Sequence, residues 1–127
     1  MDDIIEIPFK YADEVSAGIT KIAKKYKNFE CVECADDIMK HLKKIGQNGK
    51  RINLQCKLDT GENWLGYIYS NTFDKIISEN GKHVAILYNN KVYDNLYPKG
   101  IDYSDWIKDF DFGYPNIYAD FTKNIDF

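Results

Sequence analysis

Residues 79–100, ENGKHVAILYNNKVYDNLYPKG, decide the fold. Val84 to Tyr88 reads as a strand, Asn89-Asn90 as a two-residue turn and Lys91 to Asp94 as the returning strand, because asparagine tolerates the positive φ that a primed hairpin turn requires. Such a turn sets the register: Tyr88 faces Lys91, Leu87 faces Val92, Ala85 faces Asp94 and His83 faces Leu96. Directly opposed side chains share a face. His83, Ala85, Leu87, Val92, Asp94 and Leu96 therefore lie on one face, and Val84, Ile86, Tyr88, Tyr93 and Asn95 on the other. His83 and Asp94 become diagonal neighbours, roughly 7–8 Å apart between backbones, a gap that an imidazole and a carboxylate can close beside the small Ala85. A carboxylate on one ring nitrogen fixes the tautomer and raises the basicity of the other, as a general base toward a thiol requires. The same pair also suits a structural hydrogen bond at a sheet edge, and from the hairpin alone both readings stand.

A candidate thiol lies upstream. Ala12, Val15, Ile19, Ile22, Ala23 and Tyr26 recur at three- and four-residue spacings, which predicts an amphipathic helix over 12–26. A second helix follows, with Cys31, Cys34, Ala35, Ile38, Leu42 and Ile45 on one stripe and Gly46 as its stop. Asn28 occupies the expected N-cap position, which puts Cys31 in the first turn, where unpaired amides and the helix dipole favour a thiolate. Glu30 and Glu33 oppose that effect, so activation of Cys31 would have to come from His83. The same amides could serve an oxyanion, with Asn28 as a side-chain donor if it is not spent as the cap. Cys34, one turn further in, is the alternative nucleophile. Structural zinc is disfavoured because His41 stands alone among lysines and no second Cys/His pair completes four ligands. A thioredoxin-type pair would follow a strand, and here a helix precedes it. Simple packing of both cysteines on the helix stripe remains a rival, since free Cys is among the most buried residue types.

Elsewhere, Ile52, Leu54, Cys56 and Leu58 alternate in a half-buried strand, WLGYIYSNTF (64–73) reads as another strand, and FDKIIS (73–78) as a short helix or turn. Tyr103, Trp106, Ile107 and Phe110 predict a short helix after Asp102. Residues 111–127 show no periodicity and are left unassigned. With 127 residues, 44% of them hydrophobic, the chain is expected to form one domain around one core. No apolar run approaches a membrane span, and IIEIPF (4–9) lacks the basic leader and apolar length of a signal peptide, so a soluble chain is expected. Three cysteines, an odd number, point to a reducing working compartment rather than a disulfide frame. The net charge of −3 is uneven: residues 21–51 carry nine Lys/Arg against four Asp/Glu, and the remainder eight against sixteen. In an acidic domain, lysines on neighbouring helices read as a solvated face before they read as a nucleic-acid footprint.

Taken in order, NFECVECA (28–35), ENGKHVAILYNNKVYDNLYPKGI (79–101) and DYSDWIKDF (102–110) resemble the papain-fold toxin domains, second group, found at the C-termini of bacterial polymorphic and contact-dependent inhibition toxins. The likeness runs from about Phe29 to Phe110. It implies a Cys, His, Asp order that falls on Cys31, His83 and Asp94, in agreement with the face arithmetic. It also implies export as part of a larger secreted carrier, to which Met1 would be foreign, action in the target-cell cytoplasm and neutralisation by a cognate immunity protein. The expected fold is α+β and papain-like, with N-terminal helices packed on an antiparallel sheet. The expected activity is that of a thiol hydrolase acting on a protein amide, as peptidase or glutamine deamidase, with no cofactor, metal or membrane partner. An RNA-cleaving toxin seated through Lys40, Lys43 and Lys44, with nucleic acid as partner, and a non-catalytic binding module are the alternatives.

Overall fold

The computed structural model describes residues 9–121 and 123–127. Residues 1–8, including most of the IIEIPF segment weighed as a leader, lie outside the described residues. Helix α1 (Phe9–Ala23) buries Val15, Ile19 and Ala23, and helix α2 (Cys31–Lys44) buries Cys34, Ala35, Ile38 and Leu42. These are the inner positions of the stripes that the three- and four-residue spacing predicts, but α1 spans 9–23 rather than 12–26, so Tyr26 lies past its end, and Ile45 is the exposed C-cap of α2. Gly46, at φ 75°, ends α2 in a Schellman motif: its amide bonds to the Lys43 carbonyl at 3.2 Å, and that of Gln47 to the Leu42 carbonyl at 2.8 Å.

Six strands form the main sheet. Strand β1 (Lys50–Leu58) lies beside β4 (Lys82–Tyr88), which pairs with β5 (Lys91–Tyr93) and, through it, with β6 (Ile101–Asp102). The opposite edge of β1 is shared by β8 (Ile117–Asp120), against Gln55–Leu58, and β9 (Ile125–Asp126), against Lys50 and Arg51. A smaller sheet is built from β2 (Ile68–Ser70), β3 (Lys75–Ser78) and β7 (Phe110–Asp111) in the order β3-β2-β7. Helix α3 (Tyr103–Trp106) follows β6 directly.

The main sheet is covered on both faces. Val84, Ile86, Tyr88 and Tyr93 pack under α1 and α2, whereas Ile52, Ala85 and Val92 meet Trp106, and Leu54 and Cys56 meet Ile68, Ile77 and Ile117. The division between Val84/Ile86/Tyr88/Tyr93 and Ala85/Val92 is the one that the Asn89-Asn90 turn imposes. Each fully buried Ile or Leu contributes about 1.5–3 kcal/mol relative to exposure, so both layers are needed to hold the hairpin between them.

Four expectations are corrected. Residues 75–78 of the segment read as a short helix or turn form strand β3, entered through Asp74 at φ 53°; four residues with adjacent isoleucines gain more from pairing with β2 than from one helical turn. The strand expected over 64–73 shrinks to Ile68–Ser70, because the Trp64 amide turns back to the Cys56 carbonyl at 2.9 Å. The unassigned tail supplies β8 and β9. Finally, α2 begins two residues later than expected: Glu30 is its N-cap, without a side-chain capping bond, and Phe29 at φ 72° turns the chain into it.

Gly81 fixes the approach of β4 to the 64–66 segment. It sits at φ 73°, and a Cβ there would lie 1.9 Å from the Trp64 carbonyl oxygen. Gly81→Ala is expected to cost about 2–3 kcal/mol through left-handed strain and backbone overlap, read as a lower urea midpoint at unchanged m-value. An unaltered midpoint would show that this contact yields freely.

Candidate active site

The hairpin that carries His83 turns through Asn89 and Asn90 at φ 51° and 66°, the left-handed pair of a type I′ turn. Its ladder matches Tyr88 with Lys91, Leu87 with Val92 and Ile86 with Tyr93, and then stops. Asp94 leaves the strand at that point. Its Oδ1 accepts the amides of Leu96 at 2.9 Å and Tyr97 at 2.8 Å, an Asx-type turn. Its Oδ2 accepts His83 Nε2 at 2.8 Å and the Trp106 indole Nε1–H at 3.0 Å. Both His83 and Asp94 are 1% exposed, so every bond to this carboxylate forms away from water.

Because Asp94 only accepts, Nε2 of His83 holds the proton toward it, and Nδ1 is the nitrogen left for chemistry. Nδ1 is buried and makes no hydrogen bond of standard geometry. The group within its reach is the half-buried Cys31 thiol at the first position of α2, and the two shift each other's ionisation. Such looseness is usual for a resting site. The ring is also flanked by Trp106 and Phe110, with centroids 6.1 Å and 5.8 Å away.

The electrostatics follow from these neighbours. Burial alone would push the Cys31 thiol up, but hydrogen bonding and charge from His83, with the Val84 amide, bring it below its ordinary value. Burial would likewise depress His83; hydrogen bonds to Asp94 and Cys31 and their charges overcome it, and the ring rises to about 9. For Asp94, burial is outweighed by the His83 hydrogen bond and charge and by Trp106 and Tyr97, so the carboxyl stays below its usual range. The two shifts, thiol down and imidazole up, both favour the thiolate–imidazolium form of the pair. The imidazolium's contribution to stability is full below its unfolded value of 6.5 and is lost as pH rises through about 9. NMR titration of the His83 ring is expected to give a midpoint near 9, moving down in Cys31→Ala. A wild-type midpoint near 6.5 would mean that the two partners do not act on the ring.

The structure thus brings Cys31, His83 and Asp94 together. It does not place Asn28 at the helix cap: its Nδ2 donates to the Ile76 carbonyl at 2.8 Å, tying the loop before α2 to β3. Asn95, on the opposite face from Asp94 as expected, performs the same service toward the Lys27 carbonyl at 2.8 Å. Cys34 is fully buried in the helix layer, where burial pushes its thiol up to about 12. Sequence reasoning missed Trp106 as a partner of Asp94, although an indole N–H on the helix after the acid was a visible signal. It also missed the Val84 amide and the left-handed Phe29, which no local pattern announces.

Two concavities flank the pair. One, of about 340 Å³, runs along Phe29, Cys31, Val32, Ile77, Ser78 and Val84. The other, of about 220 Å³, is lined by Asn53, Gln55, Lys82, His83 and Lys123 among others. A larger cleft of about 430 Å³ on the small sheet contains no thiol or imidazole, so chemistry rather than size marks the candidate site. Among the described residues, no group of three or more His, Cys, Asp or Glu could hold a metal ion, and no helix is long and apolar enough to cross a membrane.

Helices over an antiparallel sheet, with a thiol at a helix start followed along the chain by an imidazole and its carboxylate, define a papain-like α+β arrangement. The family model Tox-PL-2, described as Papain fold toxin 2, matches residues 14–111. The chain belongs to this family and is a papain-fold toxin domain. The matched span holds Cys31, His83 and Asp94 and extends beyond the motif region to most of α1. No curated protein and no solved structure matches the chain.

Proposed function

We propose that this toxin domain is a thiol hydrolase of protein amides, with Cys31 as nucleophile, His83 as acid and base and Asp94 as the group that orients the imidazole. The observation that carries the reading is the buried His83, bonded through Nε2 to Asp94 and left with Nδ1 toward a thiol of lowered pKa. The Cys31 thiolate attacks the amide carbon. The tetrahedral oxyanion is met by the amides of the first turn of α2, which precede the first helical bond, from Cys34 N–H to the Glu30 carbonyl at 3.0 Å. With Nδ2 spent on Ile76, Asn28 is a tether and the weaker oxyanion candidate. His83 Nδ1–H gives its proton to the departing nitrogen, the C–N bond breaks, and a thioester remains. Water, deprotonated by His83, attacks the thioester; the acid leaves and the thiolate returns.

A peptide bond and a glutamine side chain are both substrates for this sequence, which makes the domain a peptidase or a deamidase. In the biological setting the family implies, it is carried within a larger secreted protein, acts in the cytoplasm of a target cell and is held in check by a cognate immunity protein. RNA cleavage is less well supported by the geometry. Lys40, Lys43 and Lys44 stand near the far end of α2, roughly 14–20 Å along the axis from Cys31 at the helical rise per residue, too far to seat the phosphate that His83 would act on.

Inducible expression in bacteria tests the proposal. Cys31→Ala and His83→Ala are expected to abolish growth inhibition, whereas Cys34→Ala and a Lys40/Lys43/Lys44→Gln triple variant keep it. A Cys31→Ala variant as toxic as wild type overturns the cysteine mechanism. Mass spectrometry of the poisoned proteome then separates new chain ends from glutamine-to-glutamate conversion.

A further inference from the structure

The outer face of the small sheet holds a cleft that the proposed chemistry does not use. Tyr69 pairs with Asp111 across β2 and β7, so the two side chains share a face, and Tyr67 joins them two residues earlier. Trp64 and Tyr114 rise from the flanking loops and meet edge to face, centroids 6.3 Å apart at 70°. Together these residues line a space of about 430 Å³. The site is built rather than incidental: Trp64 and Phe112 are anchored against the core around Leu54, Cys56 and Ile68. Gly66 makes room for the indole, since a Cβ there would lie 2.3 Å from Trp64 Cζ2. Yet Tyr67 and Tyr114 remain 55% and 63% exposed, an unusual display of aromatic surface.

Asp111 gives the cleft its chemistry. Its Oδ1 is held by the amides of Phe112 at 2.7 Å and Gly113 at 3.1 Å, which fixes the carboxylate, and Oδ2 accepts no hydrogen bond from a described residue. No described Lys or Arg pairs with it. Aromatic faces beside an unneutralised carboxylate attract a cation. A planar group can stack on the rings and offer N–H bonds to the Asp111 oxygen, which favours guanidinium over the compact, strongly hydrated ammonium.

We infer that this cleft binds an arginine side chain presented by a protein partner. The Trp64 amide bonds to Cys56 O at 2.9 Å, and the Cys56 amide to Gly81 O at 2.8 Å. A partner held there therefore lies alongside the 79–82 segment that borders the Cys31 groove. The inference does not depend on Cys31 chemistry.

The test is titration of the 127-residue Cys31→Ala domain with a blocked arginine tripeptide, followed by tryptophan fluorescence and by NMR. Matched peptides carrying citrulline or lysine serve as comparisons. Saturable binding of the arginine peptide is expected, with citrulline and lysine weaker by roughly threefold to tenfold. Asp111→Asn keeps the acceptor that holds the loop, and Tyr114→Ala alters an exposed ring; each is expected to weaken arginine binding by a similar factor. Gly66→Ala, which displaces the indole, should do the same in a protein whose far-UV spectrum is unchanged. No saturable binding, citrulline binding as tightly as arginine, or indifference to Asp111→Asn and Tyr114→Ala each overturns the inference. Because Cys31 is already absent, none of these outcomes bears on the hydrolase.

Discussion

Iodoacetamide at neutral pH is expected to alkylate Cys31 at least about a thousandfold faster than Cys34 or Cys56 in the folded protein. Reactivity follows the thiolate. Cys31 is half-buried, reachable from its groove and ionises below the ordinary thiol value. Burial pushes Cys34 and Cys56 up to about 12, and both are 0% exposed. A thiol of that pKa is ionised to only on the order of one part in 10⁵ at pH 7, before access is considered. His83→Ala should slow Cys31 alkylation by about tenfold or more, because the ring supplies the hydrogen bond and charge that offset burial. Peptide mapping of a time course reads the rates, with a denatured sample in which all three thiols react as the control. A Cys31 rate unchanged in His83→Ala would show that the Cys31–His83 pair is not formed, and equal labelling of the three cysteines without denaturant would show that Cys34 and Cys56 are not closed to solvent.

Asp94→Ala is expected to destabilise the protein by about 3–5 kcal/mol, the cost of leaving a buried charged partner unpaired. The reason lies in the number of groups that depend on one carboxylate: His83 Nε2, Trp106 Nε1 and the amides of Leu96 and Tyr97 all donate to it. Alanine would leave these donors in a volume closed to water. Against a total stability of about 5–15 kcal/mol for a domain, such a loss is a large fraction, and urea denaturation measures it directly. The pH dependence gives an independent check. The folded carboxyl of Asp94 lies below its ordinary value of 3.8. Its contribution is therefore present above that value and is lost as pH falls through the folded one, and Asp94→Ala should flatten the acid limb of the stability curve. Asp94→Asn separates fold from function. It keeps an oxygen for the Leu96 and Tyr97 amides, so it should fold, but it no longer holds the imidazole in the required tautomer, and activity should drop by about 10⁴-fold. An Asp94→Ala protein with the wild-type urea midpoint would remove the carboxylate from its central place.

Local order in the sequence settled a good deal. Asn89-Asn90 admits one tight turn and that turn admits one register, which the observed pairing of Ile86 with Tyr93 and Leu87 with Val92 follows; beyond Tyr93 the expected Ala85–Asp94 and His83–Leu96 pairs do not form, and Asp94 reaches His83 from an Asx-type turn. The stripes of α1 and α2 were equally legible, because each repeats over three turns or more and each must meet a sheet. The chain order of Cys31, His83 and Asp94 could be read from the motifs that resemble the toxin family.

Other features depended on partners remote in the chain. β8 and β9 are four and two residues long, too short for alternation to register, and they pair because β1 offers them a free edge. β3 exists because β2 needs a neighbour. Asn28 looked like a helix cap, and became a tether because the Ile76 carbonyl stands 2.8 Å from its amide nitrogen. Trp106 lies twelve residues after Asp94 and reaches the same oxygen as His83 only once α3 folds over the sheet. Periodicity and turn chemistry act within a few residues and so survive in a one-dimensional reading. The depression of one thiol and the elevation of another three residues away come from burial and from contacts across layers, and these exist only when the chain has closed on itself.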